Sequence, residues 1–153
     1  MICNSIGSSN SIVQFSYIGY TTWTTAATII PQDNTIPQNT EGVEIALINF
    51  TPISASNNIC IEVTVHGSGG GTPGYNLISS LFTDANANSI CTNQSFNIAS
   101  FTGTHNFTYS YVLGSITAVD YKLRISKFCN GNSGSRIYGG VSICYLSIYE
   151  NYL

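Results

Sequence analysis

Residues 105–113, HNFTYSYVL, alternate: His105, Phe107, Tyr109, Tyr111 and Leu113 share one face, and Asn106, Thr108 and Ser110 share the other. Successive side chains of a strand point to opposite sides, so this stretch reads as a β-strand with one covered face and one wet face. ICIEVTVH repeats the pattern with Ile59, Ile61, Val63 and Val65 on one side. VDYKLRISK puts Val119, Tyr121, Leu123 and Ile125 inward and Asp120, Lys122, Arg124 and Ser126 toward water. Earlier, VQFSY alternates Val13, Phe15 and Tyr17, and VEIALINF forms the next strand. No segment sustains the three-and-four spacing of a helix, so the chain is all-β.

Two segments depart from alternation. In YNLISSLF (75–82) and VSICYLSIY (141–149) apolar residues fall on both parities, and a strand apolar on both sides needs cover on both sides. A sandwich core covers one of them, and in a domain this small another subunit is the expected cover for the second. Eight or nine short strands separated by turn residues make an antiparallel two-sheet sandwich with Greek-key crossings the natural architecture. The polar connections HGSGGGTPGY, ASFTGTH and FCNGNSGSRIYGG are the candidate tip loops.

At 153 residues the chain forms one domain with a real core. Charged residues are 7% of the chain, against roughly 25% in ordinary soluble domains, so neutral Ser, Thr, Asn and Gly must cover most of its surface. Four basic residues and a net charge of -3 leave no basic stripe for phosphates, which argues against a nucleic-acid partner. No apolar run approaches the roughly 18 residues of a membrane span, and MICNSIGSSNS lacks the pattern of a secretory signal. Five cysteines without a CxxC pair remove the usual zinc and redox spacings. They read as free, small apolar residues, with one or two disulfides as the alternative.

Motif matches are weak. GGGTPG (69–74) satisfies GxGxxG but precedes a strand instead of the helix a dinucleotide site needs. HGSGGG has the look of an esterase oxyanion loop, yet no GxSxG supplies a nucleophile. DANANS begins like a calcium loop with Asp84, Asn86 and Asn88, then carries Ser89 and Ser95 where Gly and Glu belong, so it reads as a turn. His66 and His105 sit at strand positions beside Gly or Thr, and the seven carboxylates are scattered, so no acid–base pair is indicated. Neither an enzyme activity nor a cofactor or metal is expected.

Ten tyrosines, seven phenylalanines and Trp23 exceed what one small core requires. A ring offers flat apolar area, and tyrosine adds a hydrogen-bonding tip, the combination that sugars stack against. Core and interface packing also consume tyrosine, so only the loop-proximal rings, Trp23, Tyr75 and Tyr138, stand out.

IIPQDNTIPQNTEGVEI (29–45), TPISASNNICIEVTV, SLFTDANANSI, VDYKLRIS and SRIYGGVSICYLSIYE follow one another in an order and spacing that resemble the C-terminal domains of phage tail-fibre proteins. The resemblance runs from about Val13 to Glu150; its most specific parts are the proline-rich loop and the closing segment Arg136, Tyr138, Gly139, Gly140 and Val141. It implies a jelly-roll sandwich like the tumour necrosis factor and complement-head domains, residues 13–153 here after an N-terminal segment 1–12. It also implies a homotrimer at the end of a fibre shaft, on a virion, that contacts a host-surface glycan or receptor protein. The expected ligand-binding residues are Tyr75, Phe101, Asn130, Asn132, Arg136 and Trp23, and the expected trimer-interface residues are Tyr109, Tyr111, Val141, Ile143, Tyr145 and Leu146. The alternative is an assembly subunit of a filament, spike or capsid, or an adhesin head, without a dedicated ligand site. Pro31 and Pro37 bias the residues before them toward extended backbone and Gly42 suits a positive φ, so loop 29–45 reads as a stiff crossing that supports the fold and holds no ligand.

Overall fold

A computed structural model describes residues 11–22, 28–31, 33–68, 76–95, 102–128, 136–137 and 144–152. Among them nine strands follow in order: β1 (Ile12–Tyr20), β2 (Val43–Phe50), β3 (Asn58–Ser68), β4 (Asn76–Thr83), β5 (Cys91–Ser95), β6 (Thr102–Val112), β7 (Val119–Phe128), β8 (Arg136–Ile137) and β9 (Cys144–Asn151). One sheet has the order β1-β9-β3-β6, with the two-residue β8 pairing to the end of β3; the other has the order β2-β7-β4-β5. All the ladders are antiparallel, and this eight-strand order is that of a jelly-roll sandwich.

Alternation explains the core. Ile59, Ile61, Val63 and Val65 of β3 and Cys144, Leu146 and Ile148 of β9 meet Leu77 and Leu81 of β4 and Tyr121, Leu123 and Ile125 of β7, all buried. Inward residues of β6 line the margin: Tyr109 and Tyr111 are half-buried against this cluster, and the Tyr111 and Tyr121 hydroxyls bond at 2.6 Å. On β2 the pairing with β7 shifts between Glu44 and Ala46, the mark of a bulge, and Ile45 and Ala46 are both buried in consequence.

β4 is buried on both faces within the single chain, which corrects the expectation that another subunit covers its second side. Ile78, Ser80 and Phe82 point away from the core, yet each is at most 3% exposed. Burying such a side chain is worth about 1.5–3 kcal/mol, so an open face here would forfeit much of the fold's margin. The cover comes from the proline-rich crossing. Ile30 is fully buried, and its amide donates to Ser126 Oγ at 2.7 Å, opposite Ile78 on the adjacent strand. Farther along, the crossing is tied to the β4–β5 turn: the Ser89 amide donates to the Pro37 carbonyl and the Asn39 amide to the Ala87 carbonyl. Arg124 closes the segment by donating from Nε to the Glu41 carbonyl at 2.7 Å and from its terminal nitrogen to the Gly42 carbonyl at 2.9 Å. The DANANS stretch is that β4–β5 turn. Gly42 has the expected positive φ, 69°.

β9 behaves differently. Cys144, Leu146, Ile148 and Glu150 point inward, and Tyr145, Ser147 and Tyr149 point outward on the open side of the sheet. Buried Glu150 accepts the amides of Ile53 and Ser54 and the Asn57 amide nitrogen, at 2.8–2.9 Å, and so pins the β2–β3 connection. The alternation of β1 is also turned outward: Phe15 and Tyr17 are 54% and 64% exposed.

Candidate binding surfaces

The ladder register places the tip loops. Ser68 at the end of β3 pairs with Thr102 at the start of β6 and with Arg136 of β8. In the other sheet Asn76 at the start of β4 pairs with Phe128 at the end of β7, and the neighbouring Leu77 pairs with Ser95 at the end of β5. The glycine-rich connection 69–75, the connection 96–101 (FNIASF) and the glycine- and asparagine-rich connection 129–135 therefore leave from strand ends gathered at one end of the sandwich. The opposite end holds Ile12 of β1 paired with Asn151 of β9, and Asn151 paired in turn with Asn58 of β3.

Of the residues expected to bind ligand, Tyr75, Phe101, Asn130, Asn132 and Trp23 lie outside the described residues; Arg136 belongs to β8 and stands at the tip end opposite Ser68. Of those expected at a subunit interface, Val141 and Ile143 lie outside the described residues. Leu146 is fully buried in the core of its own chain, which corrects its placement at an interface. Tyr109 and Tyr111 likewise face their own sandwich, because alternation from His105 carries both inward. Tyr145, 40% exposed, is on the outer face.

That outer face, of the β1-β9-β3-β6 sheet, is the second surface. Paired residues stand side by side across it in rows: Phe15, Tyr149, Cys60 and Ser110; Tyr17, Ser147, Glu62 and Thr108; Gly19, Tyr145, Thr64 and Asn106. Phe15 stacks on Tyr17 with ring centroids 5.8 Å apart and on Tyr149 at 6.2 Å. Burial, and then the Glu62 carboxylate and Cys60 beside it, hold the Tyr149 phenol above its ordinary range. A shallow groove of about 320 Å³ lies over the paired strands β3 and β6, lined by Glu62, Val63, Thr64, Asn106, Phe107 and Thr108. The sequence shows Glu62, Thr64, Asn106 and Thr108 only as the wet faces of two strands; that they share one groove follows from the pairing of β3 with β6, which no local signal carries.

The two histidines differ. His66 shares its Nδ1 with Thr104 Oγ1 at 2.9 Å on the outer face. His105 is 5% exposed, bonds Ser79 Oγ through Nδ1 at 2.9 Å across the sandwich, and leaves Nε2 without a partner. Burial holds its pKa below the usual value. Cys60, Cys91 and Cys144 are free thiols, raised by burial; Cys3 and Cys129 lie outside the described residues. Among the described residues no group of three or more His, Cys, Asp or Glu side chains is placed to hold a metal ion.

No protein-family model and no curated protein matches the chain. Among solved structures it is similar to a chain of the infectious bursal disease virus Gx strain, with 13% identity over 93% of this chain and a TM-score of 0.46. It is also similar to a chain of the Gt strain of that virus, with 12% identity over 94% and a TM-score of 0.47. The chain spans only 36% and 39% of the length of those two chains.

Proposed function

We propose that the chain is the receptor-binding tip of a viral fibre, a homotrimer of tumour necrosis factor-like jelly rolls that contacts a host-surface glycan or protein. One observation carries this reading. Three connections without a charged residue, 69–75, 96–101 and 129–135, leave the two sheets together at one end, and the paired outer ends of β1 and β9 occupy the other. A sandwich whose strand ends gather three uncharged connections at one pole would offer them as an apex, the arrangement by which scaffolds carry binding loops. The opposite pole is then where a fibre shaft would join.

The trimer rests on β1. It is an edge strand of nine residues without a charge, and Ile12, Phe15, Tyr17 and Ile18 are each at least 36% exposed. A long, flat, apolar edge is a template for unwanted pairing unless something covers it. Two further copies around an axis bury it, and three weak apical sites then gain avidity where receptors are suitably spaced.

The same edge favours a second reading, an assembly subunit of a filament, spike or capsid. Electron microscopy separates the two: discrete trimers agree with a tip, ordered polymers with a structural subunit. The binding role is tested by a glycan array and a host-cell adsorption assay on the intact protein, run beside Tyr75→Ala, Phe101→Ala, Asn130→Ala, Asn132→Ala and Arg136→Ala. Loss of adsorption in one or more apical variants that keep the native melting temperature is the expected result. Adsorption unchanged in all five would remove the site from the apex.

A further inference from the structure

The groove between β3 and β6 is separate from the apex and has a chemistry of its own. By strand alternation the side chains of Val63 and Phe107 point inward, so their backbone floors the groove, and Glu62, Thr64, Asn106 and Thr108 form its walls. The side chains of Thr64, Asn106 and Thr108 make no hydrogen bond among the described residues; Asn93 reaches Asn106 only at its backbone carbonyl. Tyr145, paired with Thr64, has Gly19 on its other side, so nothing on β1 shields its ring. The groove therefore combines a carboxylate, which already meets the Tyr149 phenol on one side, an amide and two hydroxyls with a flat apolar ring at the border.

What fits this set is decided by what it would cost to cover it. An apolar partner surface would strand these polar groups, at about 1–3 kcal/mol for each that is buried without a hydrogen bond. Charged residues are also depleted from the cores of protein interfaces, which disfavours a second subunit over Glu62. An anionic ligand meets the carboxylate, and the cations Lys122 and Arg124 face outward from the other sheet. A ring of neutral hydroxyls satisfies both sides: a carboxylate accepts two O–H groups, an amide and hydroxyls both donate and accept, and C–H faces stack on an aromatic ring. The volume is at the small end of ligand sites, enough for a single ring and not for an extended chain.

We propose that the β3–β6 groove is a carbohydrate subsite for one neutral hexopyranose unit, held by Glu62, Thr64, Asn106 and Thr108 with Tyr145 as its apolar wall. It binds independently of the apical loops, so a fibre tip would engage a surface polysaccharide along its flank as well as at its end. The site holds whether or not the apical reading is right.

The test is an amide-resolved NMR titration of the full chain with methyl glucoside, methyl galactoside and methyl mannoside, one at a time, and with N-acetylneuraminic acid as the anionic control. At least one neutral sugar should shift amides of 62–64, 106–108 and 145 with millimolar affinity, and the anionic sugar should leave them in place. Glu62→Ala and Asn106→Ala should each weaken that binding about tenfold, the loss expected for a polar contact to a ligand; Asn106→Ala should leave the melting temperature in place, and Glu62→Ala, which also removes a partner of Tyr149, is read at a temperature where the variant is folded. Asn106→Ala keeps the backbone carbonyl that Asn93 uses, so it probes the groove without that tie. No shift with any of the neutral sugars, shifts centred elsewhere, equal binding of the anionic sugar, or binding retained in both variants would overturn the proposal.

Discussion

Gly42 and Ile30 lie so close that a Cβ built on the glycine would sit 2.9 Å from Ile30 Cδ1, and 2.9 Å from the Ile125 carbonyl oxygen. This contact locks the end of the proline-rich crossing onto its start, over the outer face of β4 and β7. It is a structural device: among the described residues the crossing bonds to itself, to the sheet and to the β4–β5 turn.

Gly42→Ala should therefore destabilise the protein. The left-handed backbone alone costs a residue with a Cβ about 1–2 kcal/mol, and the clash adds to it. A denaturant titration should show that loss, with the proposed apical binding retained at temperatures where the variant is folded. An unchanged midpoint would mean that the crossing adjusts freely and does not hold the face closed.

Glu150 predicts an acid limit. Burial raises its pKa, but the amides of Ile53 and Ser54 and the Asn57 side chain outweigh burial and hold it below the ordinary 4.5. Because the folded value is depressed, this contribution is present in full above pH 4.5 and is lost as pH falls through the folded pKa. Glu150→Gln should cost about 1–3 kcal/mol at neutral pH, by weakening the acceptors that the Ile53 and Ser54 amides and buried Asn57 use, and should flatten the stability profile in the acid range. Equal acid sensitivity in wild type and variant would contradict it.

His105 acts over a higher window. Its folded pKa is lowered from 6.5 by burial, so the unfolded chain takes up a proton that the folded one refuses. Stability from neutral His105 is complete above pH 6.5 and declines as pH falls from there to the folded value. An NMR titration of the imidazole should give a midpoint below 6.5, and His105→Phe should remove that part of the slope of stability against pH. A midpoint at or above 6.5 would show the ring to be solvated.

The strands were largely legible in the sequence, because ICIEVTVH, HNFTYSYVL and VDYKLRISK each alternate cleanly between core and water. What alternation cannot tell is which of two apolar faces another part of the same chain covers. Ile78 and Phe82 demand cover, and the sequence does not say that Ile30, far away in the chain, provides it. The same limit applies to β1, where Phe15 and Tyr17 have the period of core residues and face outward. The groove was hidden for a related reason: Glu62 and Thr108 look like ordinary wet-face residues until strand order makes them neighbours. The gathering of the three uncharged connections at one end is also a property of register.

In the proposed trimer the exposed apolar edge strand β1 carries the assembly. Replacing Phe15 and Tyr17 by lysine puts two charges on the exposed face of β1, where they meet water in a monomer and an apolar partner in a trimer. The double variant should keep its β-sheet spectrum and lose its higher mass, since a charge buried without a counter-ion is expensive. A double variant with unchanged mass would place the interface elsewhere.

The most direct test of the trimeric tip is the mass of the purified wild-type chain by multi-angle light scattering at micromolar concentration. The expected result is a discrete species of three times the 16.4 kDa chain. A single species of 16.4 kDa would contradict the account.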